Sequence, residues 1–304
     1  MRALGSSNLG TLAIIAAATL WGTTGTAASF FADEISPLAV GAATMVGGGL
    51  LLFAVSFRRA ISAFRDSSTR GWLLLGAVGV FVYPLAFYSS MDLAGVAVGN
   101  VVSLGTGPVF AALLERLIER QRLRMLWKIT TSIALLGVLL LTLGGGHSGD
   151  AGDASTYGGV ALGLIAGFSY ALYTYCSTRV IRAGHSSGAT MGAMFGAGAV
   201  GLLPVLVMFG TPLLHSGTSL GIASYLIVGP MFVAYVLFGV GLRTIPSSTA
   251  TTITLVEPVV ATVLAVLVVG ELLTPTAWVG LVVIFVAITV LSTARHPRKT
   301  LVSP

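Results

Sequence analysis

The sequence predicts an all-α membrane protein: ten transmembrane helices in two inverted five-helix repeats, residues 1–148 and 155–304, with both termini cytoplasmic. Three observations carry this expectation. Cutting the chain at its apolar runs gives ten stretches, roughly 11–31, 37–57, 72–90, 95–114, 126–144, 157–178, 188–209, 219–241, 246–268 and 276–293. Each is about 20 residues, the length a helix needs to cross a hydrocarbon core about 30 Å thick. All 16 Lys and Arg residues fall on one side of that pattern: Arg2; Arg58, Arg59, Arg65, Arg70; Arg116, Arg120, Arg122, Arg124, Lys128; Arg179, Arg182; Arg243; and Arg295, Arg298, Lys299. Connections on the other side carry Asp33, Glu34, Asp92, Asp150, Asp153 and Glu271, and no basic residue. Short basic loops stay in the cytoplasm, which places both termini there.

The third observation is a weak internal repeat. Asn8–Leu20 overlays Thr156–Phe168, and Val101–Pro108 overlays Thr251–Pro258, so a proline falls near the middle of the fourth and ninth spans. With an odd number of spans in each half, the second half enters the membrane upside down. Inverted repeats of this kind characterise secondary transporters, whose binding sites lie near mid-membrane between the halves.

Composition removes most other classes. A chain of 304 residues with 55% hydrophobic and 9% charged residues and a mean hydropathy of +0.96 is not a soluble domain. The longest connection, 144–156, is rich in Gly, Ser and Asp and reads as an exposed linker. The net charge of +6 is scattered over short loops, so it reads as a topology signal with some attraction to anionic membrane lipid, and nucleic acid is not an expected partner. A single cysteine, Cys176, excludes an intramolecular disulfide. His147, His185, His215 and His296 share no metal-ligand spacing, and nothing calls for a metal or cofactor.

Taken in order, the spans carry these features. The first, ending in Thr26-Ala27-Ala28-Ser29, has the look of a signal peptide, but its apolar run is too long and has a counterpart in the second half. It is expected to be a true span with Trp21 facing a cavity. Gly47-Gly48-Gly49 in the second and Gly192, Gly196, Gly198 and Gly201 in the seventh suit close helix packing. Tyr83 and Tyr88 in the third, Tyr170, Tyr173 and Tyr175 in the sixth and Tyr235 in the eighth lie too deep for a headgroup belt, so their hydroxyls imply a polar cavity. Rings around such a cavity suit an aromatic or cationic solute. Asn100, Ser103 and Thr106–Gly107 precede Pro108 in the fourth span, and Asn100 is expected to face Glu257 across the repeat axis. The run Glu115–Arg122 reads as a solvated amphipathic helix end in which Glu119 and Arg122 pair, or as an inner gate. Trp72, Trp127 and Trp278 mark span ends as interfacial anchors.

Glu257 is the sharpest candidate. A carboxylate halfway along the ninth span is costly there and marks function, with the proton-carrier role its natural use. Thr254 lies one helical turn before it, and Pro258 removes a backbone donor and kinks the helix, as Pro108 does in the fourth span.

The chain resembles the EamA-type transporters of the drug/metabolite transporter superfamily over essentially its whole length. The residues that carry the resemblance are Leu20-Trp21-Gly22-Thr23, Ser36-Pro37-Leu38, Ser169-Tyr170-Ala171-Leu172-Tyr173-Thr174, and Glu257-Pro258 followed by Gly270-Glu271. The first half departs from the family pattern where Glu115–Arg122 replaces an apolar helix end and a Gly-Glu pair. The resemblance implies ten helices in two inverted repeats and export of amino acids, related metabolites or drugs. The expectation is thus a secondary transporter of a small organic solute working by alternating access, with Glu257 exchanging a proton and Trp21, Tyr83, Tyr88, Asn100, Ser103, Tyr173, Tyr235 and Thr254 contacting substrate. A passive facilitator of the same architecture is the alternative. No phosphate-cradling Gly-Lys-Ser/Thr loop is present, so no ATPase partner is implied, and paired intramembrane His and carboxylates that an enzyme would need are lacking. A monomer suffices to enclose a pathway, with a weak homodimer left open.

Overall fold

The structure is a computed structural model that describes residues 6–31, 34–120, 123–144, 154–270 and 274–293. Among the described residues all regular structure is helical: α1 (Ser6–Ala28), α2 (Pro37–Arg65), α3 (Ser67–Ala94), α4 (Val96–Glu119), α5 (Met125–Gly144), α6 (Ala154–Arg182), α7 (Ser187–Phe209), α8 (Gly217–Leu226), α9 (Ala234–Gly241), α10 (Ser247–Ile253), α11 (Val256–Leu264) and α12 (Pro275–Thr293). Eight stretches are long and apolar enough to cross a membrane, two of them composite: Gly217–Gly241 and Ser247–Val268. Met125–Leu141 and Pro275–Leu291 are apolar but shorter.

Local chemistry sets the helix starts. Ser36 accepts a hydrogen bond from the Ala39 N–H at 3.2 Å, with Pro37 at the first helical position, and Ser186 caps α7 through Ala189 in the same way. Asp66 separates α2 from α3 and caps the latter through the Ser68 N–H at 2.9 Å. Both helices therefore run past their apolar stretches, and Arg58, Arg59, Arg65 and Arg70 sit on helix ends rather than in a loop.

The last two long spans are broken. Between α8 and α9 the chain forms a π-helical stretch, Ile227–Val233, around Pro230. Thr254 and Leu255 interrupt the ninth apolar run, where Glu257 N–H bonds back to Thr254 O at 2.9 Å in a tighter turn. That tightened turn accommodates Pro258, which has no N–H to give to Thr254.

Helix pairing links the two halves. α2 packs along α7 and α5 along α12, while α3 and α4 pack on α6 just as α9 and α11 pack on α1. Two units result: α3, α4 and α6, and α1 with α8, α9 and α11; α10, which leads into α11, packs chiefly on α4. Each unit takes one helix from the opposite half of the sequence, as a pseudo-two-fold relation between repeats requires. Glycine allows the closest contacts. A Cβ on Gly137 would lie 2.9 Å from Gly280 O, and one on Gly280 would lie 2.6 Å from Gly137 O. At that crossing the backbones of α5 and α12 meet directly.

Candidate transport cavity

Between the two units lies a cavity of about 110 Å³. The unit of α3, α4 and α6 contributes Tyr83, Pro84, Phe87, Tyr88, Leu104, Tyr170 and Tyr173; the other contributes Trp21, Thr24, Leu226, Pro230, Met231, Tyr235 and Glu257; α2 adds Gly41, Thr44 and Met45. Most of these belong to the parts of α1, α2 and α3 remote from the basic helix ends, so the cavity sits toward the opposite end of the bundle.

The broken elements position its polar groups. The Trp21 indole N–H donates to Pro230 O at 2.8 Å, a carbonyl of the π-helical stretch. Trp21 is further held by Tyr235 and Phe238, with ring centroids 4.9 and 5.3 Å away. Glu257 stands in the first turn of α11, just past the break, half-buried and facing the cavity. Among the described residues no hydrogen bond or ion pair reaches its carboxyl group. Gly22 lets α1 approach: a Cβ there would come 2.9 Å from Glu257 O and 2.6 Å from Val260 Cβ.

Tyrosines close the side nearer the basic end. Tyr170 and Thr254 hydroxyls lie 2.7 Å apart and those of Tyr173 and Tyr235 lie 2.9 Å apart, both pairs buried and both spanning the two units. Tyr83 stacks on Phe87 with centroids 5.5 Å apart and tilts against Tyr170 at 6.0 Å. The result is a box of rings around one carboxyl group.

Of the residues singled out in the sequence, Trp21, Tyr83, Tyr88, Tyr170, Tyr173, Tyr235 and Glu257 line the cavity. Thr254 supports it from beneath through Tyr170. Asn100 and Ser103 are not among the lining residues; Leu104 is the lining residue of α4. Ser103 is fully buried, its hydroxyl without a hydrogen-bond partner among the described residues. A Cβ on Gly167 would meet Ser103 O at 2.8 Å, much as one on Gly22 would meet Glu257 O. Ser103, rather than Asn100, thus stands where Glu257 stands in the other half. Pro108 lies inside α4 and Pro258 inside α11, where it is buried. Tyr175 lies elsewhere, edge-on to Trp72 at 6.0 Å. Phe87, Thr24, Thr44 and the prolines Pro84 and Pro230 line the cavity without having been singled out; the spacing of Phe87 one turn after Tyr83 was the signal available.

The basic end differs from its sequence reading. Glu115 is not solvated: it is 4% exposed and accepts hydrogen bonds from Ser247 and Ser248 at the start of α10. Glu119 pairs with Arg182 at 3.1 Å and Arg179 at 3.8 Å, both on α6. Arg122, its expected partner, lies outside the described residues, as do Asp33, Asp150, Asp153 and Glu271. Trp72 and Trp127 are packed contacts as well as span-end residues: Arg179 lies over the Trp72 ring at 5.2 Å, and the Trp127 N–H donates to Ser248 O at 3.3 Å. Among the described residues no group of three His, Cys, Asp or Glu side chains is placed to hold a metal.

A cavity lined by aromatics and one carboxyl group, set between two exchanged units of membrane-length helices, is the arrangement of a multi-pass membrane transporter. The chain belongs to the EamA-like transporter family, whose profile matches residues 8–143 and 157–293, one copy in each half. It is 32% identical to the uncharacterized transporter YwfM of Bacillus subtilis (strain 168), covering 96% of this chain and 97% of that protein. It is 26% identical to the uncharacterized inner membrane transporter YicL of Salmonella typhimurium, covering 97% and 99%. A solved crystal structure superposes with a TM-score of 0.76 over 92% of this chain and 95% of that one; at 21% identity it speaks for the fold alone.

Proposed function

We propose that the protein is a secondary transporter that exports a small organic solute, an apolar or aromatic body carrying one positive charge, in exchange for a proton held by Glu257. In this reading all ten apolar runs cross the membrane, and the basic end with both termini is cytoplasmic. The observation that carries it is the Glu257 carboxyl group, unpartnered among the described residues, in a cavity walled by Trp21, Tyr83, Phe87, Tyr88, Tyr170, Tyr173 and Tyr235. Aromatic faces attract a cation within about 6 Å of the ring centre, the more so when it is desolvated. A carboxyl group in the same box gives that cation its counter-charge, and a proton is the smallest ion that can take its place. The two units, rocking about the α2–α7 and α5–α12 contacts, would present the box to each side in turn.

The test is flux in proteoliposomes with an imposed pH gradient, using a panel of amino acids and one lipophilic cation. Wild-type flux of the cation should follow the gradient, and Glu257→Gln should retain exchange but lose that dependence. Flux that ignores the gradient in both proteins would replace this reading with a passive facilitator. Preference for a zwitterionic amino acid over the cation would overturn the substrate class and leave the coupling intact.

A further inference from the structure

We infer that Glu115, together with Ser247 and Ser248, forms an inner gate that holds the pathway shut at the basic end. The inference rests on the alternating-access reading, and it concerns a residue that lies outside the cavity. Glu115 Oε1 accepts from the Ser247 hydroxyl at 2.6 Å and the Ser248 backbone N–H at 3.0 Å, while Oε2 accepts from the Ser248 hydroxyl at 2.6 Å. All three residues are buried, Ser247 completely.

Topology makes this cluster a gate rather than internal glue. Glu119, one turn further along α4, pairs with Arg179 and Arg182 of α6, inside its own unit. Glu115 instead reaches from α4 to α10, the segment that leads directly into α11 of the other unit. It does so beneath the floor made by Tyr170–Thr254 and Tyr173–Tyr235. Thr254 lies seven residues beyond Ser247, which sets the latch about 10 Å below that floor at 1.5 Å of rise per residue. Any motion that opens the cavity toward the basic end must part α4 from α10 and break these hydrogen bonds.

A buried carboxylate satisfied by three donors is stable only while they stay in place. Removing it strands the Ser248 N–H and two hydroxyls in the closed state, whereas water reaches them in the open one. Truncation at position 115 therefore shifts the population toward the state open at the basic end.

Thiol reactivity in nanodiscs, where both faces are exposed to reagent, reads that population without substrate or proton gradient, so the gate and the transport reading fail separately. Cys176 is first replaced by Ala to remove the native thiol. One reporter is Thr251→Cys, fully buried one turn above Ser247; the other is Thr24→Cys, in the cavity wall. With Glu115→Ala, a water-soluble maleimide should modify the Thr251 reporter about tenfold faster, the worth of one hydrogen bond to a charged group, and the Thr24 reporter more slowly. The pair Ser247→Ala with Ser248→Ala should reproduce this, and it carries the test if Glu115→Ala does not fold. Glu115→Gln, which still accepts from Ser247 and Ser248, should fall between. Unchanged reactivity at the Thr251 reporter overturns the gate. So does a parallel rise at both reporters, which would mean a loosened fold rather than a shifted equilibrium.

Discussion

The ninth apolar run shows two different solutions to burying a chain in one molecule. Every residue of α10, Ser247–Ile253, is buried, although five of the seven are Ser or Thr. In α11, Val256–Leu264, only Pro258 is buried, although most of its residues are apolar. Polarity is thus reversed relative to exposure. Four of the five α10 hydroxyls are hydrogen-bonded: Ser247 and Ser248 by Glu115, Thr252 by Thr131 at 3.1 Å, and Thr251 by Ser247 O at 2.9 Å. Satisfied polar groups make a rigid, specific seal, because each loses a partner if the helices part. Beyond the break, α11 faces a cavity and the bundle exterior, and Glu257 is left without such partners among the described residues. One half of the span is sealed by hydrogen bonds and the other borders a cavity.

The largest break in this contrast is expected at the junction. At Gly22 an added Cβ meets the Glu257 carbonyl and the Val260 Cβ, neither of which is a flexible side-chain tip. Gly22→Ala should destabilise the protein by about 3 kcal/mol and abolish transport by pushing α1 away from α11. Gly25→Ala, one turn on with nothing within 4 Å of the new Cβ, is the matched control and should be near neutral. Thermal midpoints of the two variants in the same detergent decide it. Equal midpoints would mean that the α1–α11 approach is not tight.

A smaller effect sharpens the sealed side. Tyr173 and Tyr235 satisfy each other across the two units at 2.9 Å. Either Phe substitution alone leaves a buried hydroxyl stranded, at about 1–3 kcal/mol. The double Phe variant should cost less than the sum, with a coupling of about 1 kcal/mol. Additive losses would show that the two hydroxyls find other partners once separated.

These contrasts were unequally legible in the sequence. Apolar runs and one-sided charges follow from the bilayer itself, which demands length and penalises charge, so helix positions could be read directly. Glu257 was legible for the same reason: a carboxylate amid an apolar run has few uses. Glu115 was not, because its donors lie 132 and 133 residues away and its neighbours Arg116, Glu119 and Arg120 make it look like part of a solvated charge run. Asn100 and Ser103, which do not line the cavity, illustrate a different difficulty. Each residue turns a helix by about 100°, so an overlay of the repeats that is wrong by a few positions moves a side chain from the cavity wall into a helix contact. Tyr175 shows the limit of composition: its ring resembles those of Tyr170 and Tyr173, but it faces Trp72 at the basic end.

The smallest effect belongs to the exposed corner between α2 and α3, which tests whether the basic end is held only by its buried latch. Asp66 receives hydrogen bonds from the Ser68 hydroxyl at 2.6 Å and the Ser68 N–H at 2.9 Å, and lies 2.9 Å from His185 Nε2. These contacts, the Ser68 hydroxyl first, hold its carboxyl at about 2, below its ordinary 3.8. A group whose value is depressed by folding stabilises the fold above its unfolded value and loses that contribution as pH falls through the folded one. Asp66→Asn should therefore lower the thermal midpoint slightly at pH 5, with the gap to wild type closing as pH drops from 3.8 toward 2. Screening keeps the effect small, since the corner faces solvent. A gap that persists at pH 2 would show that the cap acts through geometry alone, and that the charge on Asp66 adds nothing to the closed end.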